Sequence, residues 1–553
     1  MSKVKLLIPL VILVLSLIVQ AAPLSLNQLK TRVNKRQNNL DLLDYPSIFQ
    51  NIDELSMLEK DLSNNLDIDA AKKQQEFDEK LTATYLMTFE SLKIETRAIW
   101  IDNIYLANIN SKNDVTKMME WLSSLNFNLI LPDVYNQGQS IYPSKIVPQH
   151  YKYKSLYKGD LLADMVEEAH RLGMEIHPLV VLFGLDSEME LFFDDLTVFD
   201  RDIDGNYLNI YGQAFLSPAS PVIRERLISV LKEIATYDVD GIHLDYVRFS
   251  TGFGYGEIIS NIFENFYGVR PKDISPTSSL NKCYQEFKTQ FVSSFVDRAT
   301  REIRSINPRL IVSAAVASPY DWGKYDLAQD HKHWLNNRFI HSLILMSYSL
   351  YAELFTEVIS KDYNYIQNKA FTLPGMGLYN WDGKEYVRQI EASHDLPFTG
   401  QASFSAVHLK GNKETFLKEG PYREQATLTI RYPQKAATLI LQDLALRLKL
   451  TAAISGLNQE TISNWETKLN QAALGITHLS LRPWPERDLK EGNAAEKTAV
   501  LTVIKNLDNL IEEACTLGRA SQRVTLEINR ARSLLEMYKH FSSSYSYTPI
   551  SYN

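Results

Sequence analysis

A chain of 553 residues exceeds one ordinary domain, so its core can be large and the length favours an enzyme-sized unit with something smaller attached. Hydrophobic residues at 45% and aromatics at 11%, including 29 Tyr, exclude wholesale disorder. A formal net charge of -8 argues against nucleic acid or an anionic membrane face as the main partner, since both reward basic patches, and a neutral or mixed-charge ligand fits better.

Lys3 and Lys5 precede an apolar run at residues 6–19, and Ala21 and Ala22 follow it. This is the layout of a secretory signal peptide over residues 1–22, which places the protein outside the cytoplasm: secreted, periplasmic or in the cell envelope. The competing reading, an uncleaved anchor, would tether the chain to a membrane. The run falls short of the ~20 residues that comfortably span a bilayer. Cys283 and Cys515 stand far apart with no metal-ligand spacing around either, so the core and not a disulfide framework must hold the fold.

Residues 23–95 read as polar helix with spaced leucines such as Leu55, Leu58 and Leu62. Near Arg97 the texture changes to short apolar strands alternating with amphipathic helices, the signature of a parallel α/β architecture. Strands are expected at 98–102, 128–133, 174–181, 241–247, 310–317, 340–348, 371–378 and 400–407. Between the first two, Val115, Met118, Met119, Leu122 and Leu125 share a helix face. Asp160 caps the next helix and Gly173 ends it, while Ser220 and Pro221 open the helix that feeds the fourth strand. Eight such strands over residues 96–425 predict a TIM (β/α)8 barrel, whose site lies on the loops after the strands' carboxyl ends. An open doubly wound sheet would carry a glycine-rich phosphate turn after its first strand, and none is present. Residues 426–553 return to helical periodicity, with the helices expected to pair with the N-terminal ones.

The chemistry-bearing residues follow from the period-2 alternation of strands. On the fourth strand Ile242 and Leu244 read as outward, which puts His243 and Asp245 on the inner face with Asp245 nearer the rim. A carboxylate there is costly unless paired or used. Used, it serves as nucleophile or anionic stabiliser in glycosidic cleavage; paired, it makes an ion pair with Arg248 or His243. On the first strand Trp100 and Asp102 face inward, Trp100 as barrel core or as a stacking platform. The third strand offers His177 toward the rim, with Glu175 in a buried structural role. Asp133, near the end of the second strand and followed by Tyr135 and Asn136, is the first choice for a second carboxylate. Beyond the fifth strand Tyr320, Asp321, Trp322, Gln329 and Asp330 mix aromatics with acids as a saccharide cleft does, and Tyr348 ends the sixth. The general acid is then Asp133, Asp321 or Asp330. His331 and His333 beside Asp330 are too loose a set for a metal site, and no cofactor motif appears.

Several segments together resemble the family-10-like glycosyl hydrolases: TRAIWI at 96–101, FNLILPDVYNQGQSIYPS ending at Ser144, GMEIHP at 173–178, SPASPVIRE, DGIHLDYVRF at 240–249, QDHKHWL at 329–335 and MSY at 346–348. The resemblance covers about 95–409. It implies a TIM-type barrel, a carbohydrate substrate and, in bacterial relatives, action on cell-wall glycan strands such as peptidoglycan. The chain departs from the family pattern where Leu179 replaces a common tryptophan, where Tyr135 stands at a common arginine, and at residues 317–319, where related barrel glycosidases carry an acidic glutamate. The expectation is an exported polysaccharide hydrolase centred on Asp245. The rivals are a non-catalytic glycan-binding or envelope scaffold on the same barrel, and an amide or ester hydrolase that would need another nucleophile or a metal. Oligomeric state is not encoded in any motif.

Overall fold

A computed structural model describes residues 24–64, 70–186, 195–366, 369–477, 479 and 494–542, so residues 1–22, where a signal peptide is expected, lie outside the described residues. The chain divides into two compact units, residues 1–90 and 91–553. The first holds helices Leu26–Asn38, Tyr45–Asn64 and Ala70–Met87. Ser25 and Gln28 form a reciprocal capping box at its start, and Leu29, Val33, Leu55 and Leu81 are buried on the inner faces.

The second unit is built on a closed parallel barrel. Its strands are β1 (Thr96–Ile101), β2 (Leu129–Asn136), β3 in two pieces (Glu175–Ile176 and Leu179–Val181), β4 (Gly241–Asp245), β5 (Ile311–Ala317), β6 (Ser342–Met346), β7 (Phe371–Gly377) and β8 (Gly400–Phe404). Each pairs with the next in parallel, and β1 pairs back with β8 from Thr96 opposite Gly400 to Ile99 opposite Ser403. That last pairing is what an open sheet would lack.

Alternation sorts the side chains as the strand period requires. Ile99, Ile130, Ile242, Leu244, Val312 and Leu343 face the helical layer, and Ala98, Trp100, Leu131, Leu179, Ile344 and Leu373 fill the interior. The expected caps are present. Asp160 accepts from the Ala163 N–H and Ser220 from the Ile223 N–H, Pro221 opens its helix, and Gly173 ends the preceding one at φ +72°. Two antiparallel hairpins decorate the site end: Gln139–Ser140 folds back on β2, and Gly184–Asp186 pairs with Gln213–Phe215 after β3.

The opposite end is sealed by charge. Arg431 reaches Glu175 at 2.6 Å and Asp240 at 3.6 Å, and His177 lies 3.3 Å from Glu175. Burial alone would raise the Glu175 pKa, but the Arg431 charge and the His177 and Arg431 hydrogen bonds bring it down to about 2. Glu175 therefore has the structural role its early position on the strand suggested. His177 is a correction. It is sealed at the barrel base and not near the rim, because it stands two inward positions below Val181, against Gly241 at the start of β4.

Helices Pro433–Leu450, Gln459–Thr477, Ala494–Ala514 and Ser521–Ser542 fold with the barrel as one unit, where the sequence paired them with the N-terminal helices. Arg530 donates to the His394 carbonyl, and His540 to the Leu335 carbonyl at 3.0 Å. Both cysteines are free and exposed. Among the described residues no helix is long and apolar enough to cross a membrane.

Candidate functional site

A cavity of about 370 Å³ opens at the carboxyl end of the barrel. Its acidic residues come from three strands: Asp102 directly after β1, Asp133 on β2 and Asp245 at the end of β4. Register sets their heights: Ile101 lies opposite Pro132, which brings Asp102 beside Asp133, while Asp133 lies opposite Leu179, itself opposite His243, so Asp245 stands one inward position further toward the rim. Trp100, Leu179 and Val181 form its apolar floor, and among the described residues no Lys, Arg or His lines it.

The three carboxylates are held differently. Asp102 caps the short helix Asn103–Leu106, accepting from the Tyr105 N–H at 2.9 Å and from the Ser405 hydroxyl. Asp133 is 7% exposed; one oxygen accepts from Asn136 Nδ2 at 2.6 Å, and the other is buried with no hydrogen-bond partner among the described residues. Burial holds this carboxyl well above the usual range. The Asn136 bond opposes that, and the neighbouring charges of Asp245 and Asp102 reinforce it. Asp245 is raised too, first by burial, but the Tyr246 N–H donates to it at 2.7 Å and the Arg248 charge pulls it back down. Both carboxyls are raised, but a neighbouring cation opposes the shift only at Asp245, a difference in environment of the kind that gives two carboxyls different roles.

Asp245 is not consumed by a structural ion pair. No salt bridge joins it to Arg248, whose guanidinium sits 4.7 Å from the centre of the Tyr246 ring. His243 lies one inward position below, hydrogen-bonded through Nδ1 to Ser313 at 2.9 Å, with Nε2 buried and unpartnered. Burial, with the nearby His177, pushes its pKa down to about 3, so it is neutral and packs against Trp100 at 5.9 Å. Trp100 itself is 2% exposed, a core residue whose edge reaches the cavity.

Other sequence candidates lie elsewhere. Tyr135 belongs to the outward core, because a register shift between Asp133 and Tyr135 breaks the alternation; only Asn136 and Gln137 of that loop line the cavity. Asp330 caps helix His331–Asn336 through the His333 N–H, accepts from the Tyr320 hydroxyl at 2.7 Å and pairs with Lys324 at 3.0 Å. Burial would raise its pKa, but these partners outweigh it and hold it low, the wrong direction for a proton donor. Gln329 is buried and clamps the end of β5, accepting from the Ala317 N–H and donating to the Ala315 carbonyl. Asp321 and Trp322 are exposed on helix Tyr320–Leu327, away from the cavity. Tyr348 stands beside the cavity's Phe404, with ring centres 5.7 Å apart. Among the described residues no group of His, Cys, Asp and Glu is placed to hold a metal ion.

Sequence reasoning missed Gln137, Gln213, Phe404 and Tyr246 in the lining. Tyr246 carried a signal, the DYV run after β4. It adopts φ +49°, uncommon for a bulky residue, and its ring rests where a side chain on Gly184 would stand, 2.4 Å from a Cβ built there.

Comparison with known proteins places this geometry. The family model described as glycosyl hydrolase-like 10 matches residues 95–374. No curated protein matches the chain. Among solved structures, the PgaB (BpsB) glycoside hydrolase domain from Bordetella bronchiseptica is similar with a TM-score of 0.47 and 11% identity, covering 59% of this chain and 98% of that one. The β-amylase catalytic domain from Paenibacillus polymyxa has a TM-score of 0.42 and 14% identity over 59% of this chain and 95% of its own. The α-L-fucosidase isoenzyme 2 from Paenibacillus thiaminolyticus has a TM-score of 0.43 and 15% identity over 60% and 49%.

Proposed function

The chain belongs to the glycosyl hydrolase-like 10 family, and from that premise we propose that it hydrolyses glycosidic bonds of a polysaccharide, with Asp133 as general acid and Asp245 as the carboxylate that meets the anomeric carbon. The observation that carries this reading is the buried, unpartnered oxygen of Asp133 in the same cavity as Asp245. A carboxyl whose proton affinity burial raises can give its proton to the departing sugar oxygen as the C–O bond breaks. Asp245, where the Tyr246 N–H and the Arg248 charge oppose the upward push of burial, is the carboxylate assigned to the positive charge that develops on the sugar ring. Water supplies the hydroxyl of the new reducing end, and its proton restores Asp133. The anomer first released, which proton NMR reads, tells retention from inversion, and trapping of a glycosyl ester on Asp245 tells nucleophile from stabiliser.

Residues 1–22 support export, and with it a substrate outside the cytoplasm; glycan strands of the cell wall are the class we test first. The experiment is product release by mass spectrometry from a panel of polysaccharides that includes peptide-free glycan strands, with the mature protein and its Asp245→Asn variant. Release that is lost in the variant while binding persists supports the reading. Glycan bound and left intact by both proteins would replace it with a binding scaffold.

A further inference from the structure

We propose that the cleft continues past the cavity as a stacking track for a linear polysaccharide, with Tyr379 as the platform for a sugar outside the cavity. This rests on the glycosidase reading only for where the bond is cut. On one side the cavity is walled by carboxylates and amides from β1, β2 and the hairpins, and on the other by rings. Phe404, at the end of β8, lines the cavity. Tyr348 follows at 5.7 Å, Tyr379 lies 6.1 Å from Tyr348, and His408 lies 5.8 Å from Tyr379. These rings come from the loops after β6, β7 and β8, and Tyr379 and His408 stand beyond the residues that line the cavity.

Tyr379 is the member built for contact. It is 46% exposed, yet its ring is seated: a Cβ on Gly377, the last residue of β7, would stand 2.7 Å from the ring's Cε1 and 3.1 Å from its hydroxyl. The missing side chain lets the ring lie on the strand end, so its position is set before a ligand arrives and little conformational entropy is lost on contact. An exposed aromatic surface with one polar tip suits a ligand that is apolar on its faces and hydroxylated at its edge. Pyranoses of gluco configuration have that form, because their ring hydroxyls are equatorial and the C–H bonds point to the faces. A cavity of about 370 Å³ is at the small end for a ligand site, so a polymer bound there must leave it, and the aromatic wall marks the way out.

The test uses binding, so it reads separately from turnover. Cellohexaose and chitohexaose are titrated calorimetrically into the full chain carrying Asp245→Asn. At least one is expected to bind, with Tyr379→Ala weakening it about tenfold, which is about 1.4 kcal/mol, and Tyr379→Phe restoring it. Gly377→Ala, which leaves the tyrosine in place but pushes its ring off the seat, should weaken binding by an intermediate factor. Binding of neither hexasaccharide, or equal affinity with and without the Tyr379 ring, overturns the proposal. Polysaccharide hydrolysis by the unsubstituted chain with ring-independent binding removes the track and leaves the glycosidase. Ring-dependent binding without any hydrolysis keeps the track and removes the glycosidase.

Discussion

Replacing Asp133 by Asn keeps the shape of the side chain and takes away its proton. The amide oxygen can still accept from Asn136, which now bonds one carboxyl oxygen at 2.6 Å, and the amide nitrogen takes the position of the oxygen buried without a partner. An unpartnered buried polar atom costs about 1–3 kcal/mol, and the substitution leaves their number unchanged. Near pH 4 the variant should therefore match the wild type within about 1 kcal/mol. Above that pH the two diverge. In the folded protein Asp133 binds its proton more tightly than in the unfolded chain, where it titrates near 3.9, so the wild type loses stability as pH rises from there toward the folded value. Each tenfold difference in proton affinity is about 1.4 kcal/mol, and Asn escapes all of it. Thermal melts across pH should show the variant gaining on the wild type as pH rises. Its kcat should drop by about 10² to 10⁴ when the leaving group is a sugar, and much less when it is an acidic phenol that departs without help. Equal rate losses on both substrates, or destabilisation that is the same at every pH, would refute the assignment of Asp133 as a buried acid.

Glu175→Gln should cost about 1.5–3 kcal/mol in denaturant melts at pH 7, because Arg431 loses its carboxylate at 2.6 Å and keeps Asp240 at 3.6 Å. The folded pKa of Glu175 is depressed to about 2, so its contribution is present above the unfolded value near 4.3 and is lost as pH falls toward 2; the variant should lack that acid limb. Asp330→Asn, outside the cavity, should lower stability by about 0.5–2 kcal/mol through the Lys324 pair while kcat stays within about twofold of wild type, where a general acid would lose it. Gly184→Ala places a methyl group 2.4 Å from the Tyr246 ring and should destabilise by about 1–3 kcal/mol and reduce kcat, read by melts and initial rates together.

The barrel was legible because its strands obey two rules at once. Ile242 and Leu244 alternate with His243 and Asp245, and each side chain points where the period sends it. Depth was harder than direction. His243 and Asp245 face the same way, but only one reaches the cavity, and strand counting cannot see where the floor lies. His177 also faces inward as expected but lies at the base, and where the ladder is irregular even direction fails: the bulge after Asp133 turned Tyr135 outward, and β3 breaks at His177 and Pro178. Pro178 was the available warning. Asp330 was readable in another way, as an acid directly before the start of a short helix, which is what an N-cap looks like. The ring seats at Gly184 and Gly377 depend on contacts between residues distant in sequence or on backbone direction, and no local pattern announces them.

The base of the barrel bears on how this chain could be inherited or cut. Arg431, beyond the last strand, supplies the cation for Glu175, and Leu428 packs against the interior layer. The family match at residues 95–374 ends inside β7, before the strand that closes the ring. A fragment trimmed to that match would be an unzipped cylinder with exposed edges, and one trimmed after β8 would keep an unneutralised acid in its floor. The portable piece is the whole second unit, so gene fusions and expression trials that treat the barrel as a cassette should carry the trailing helices with it.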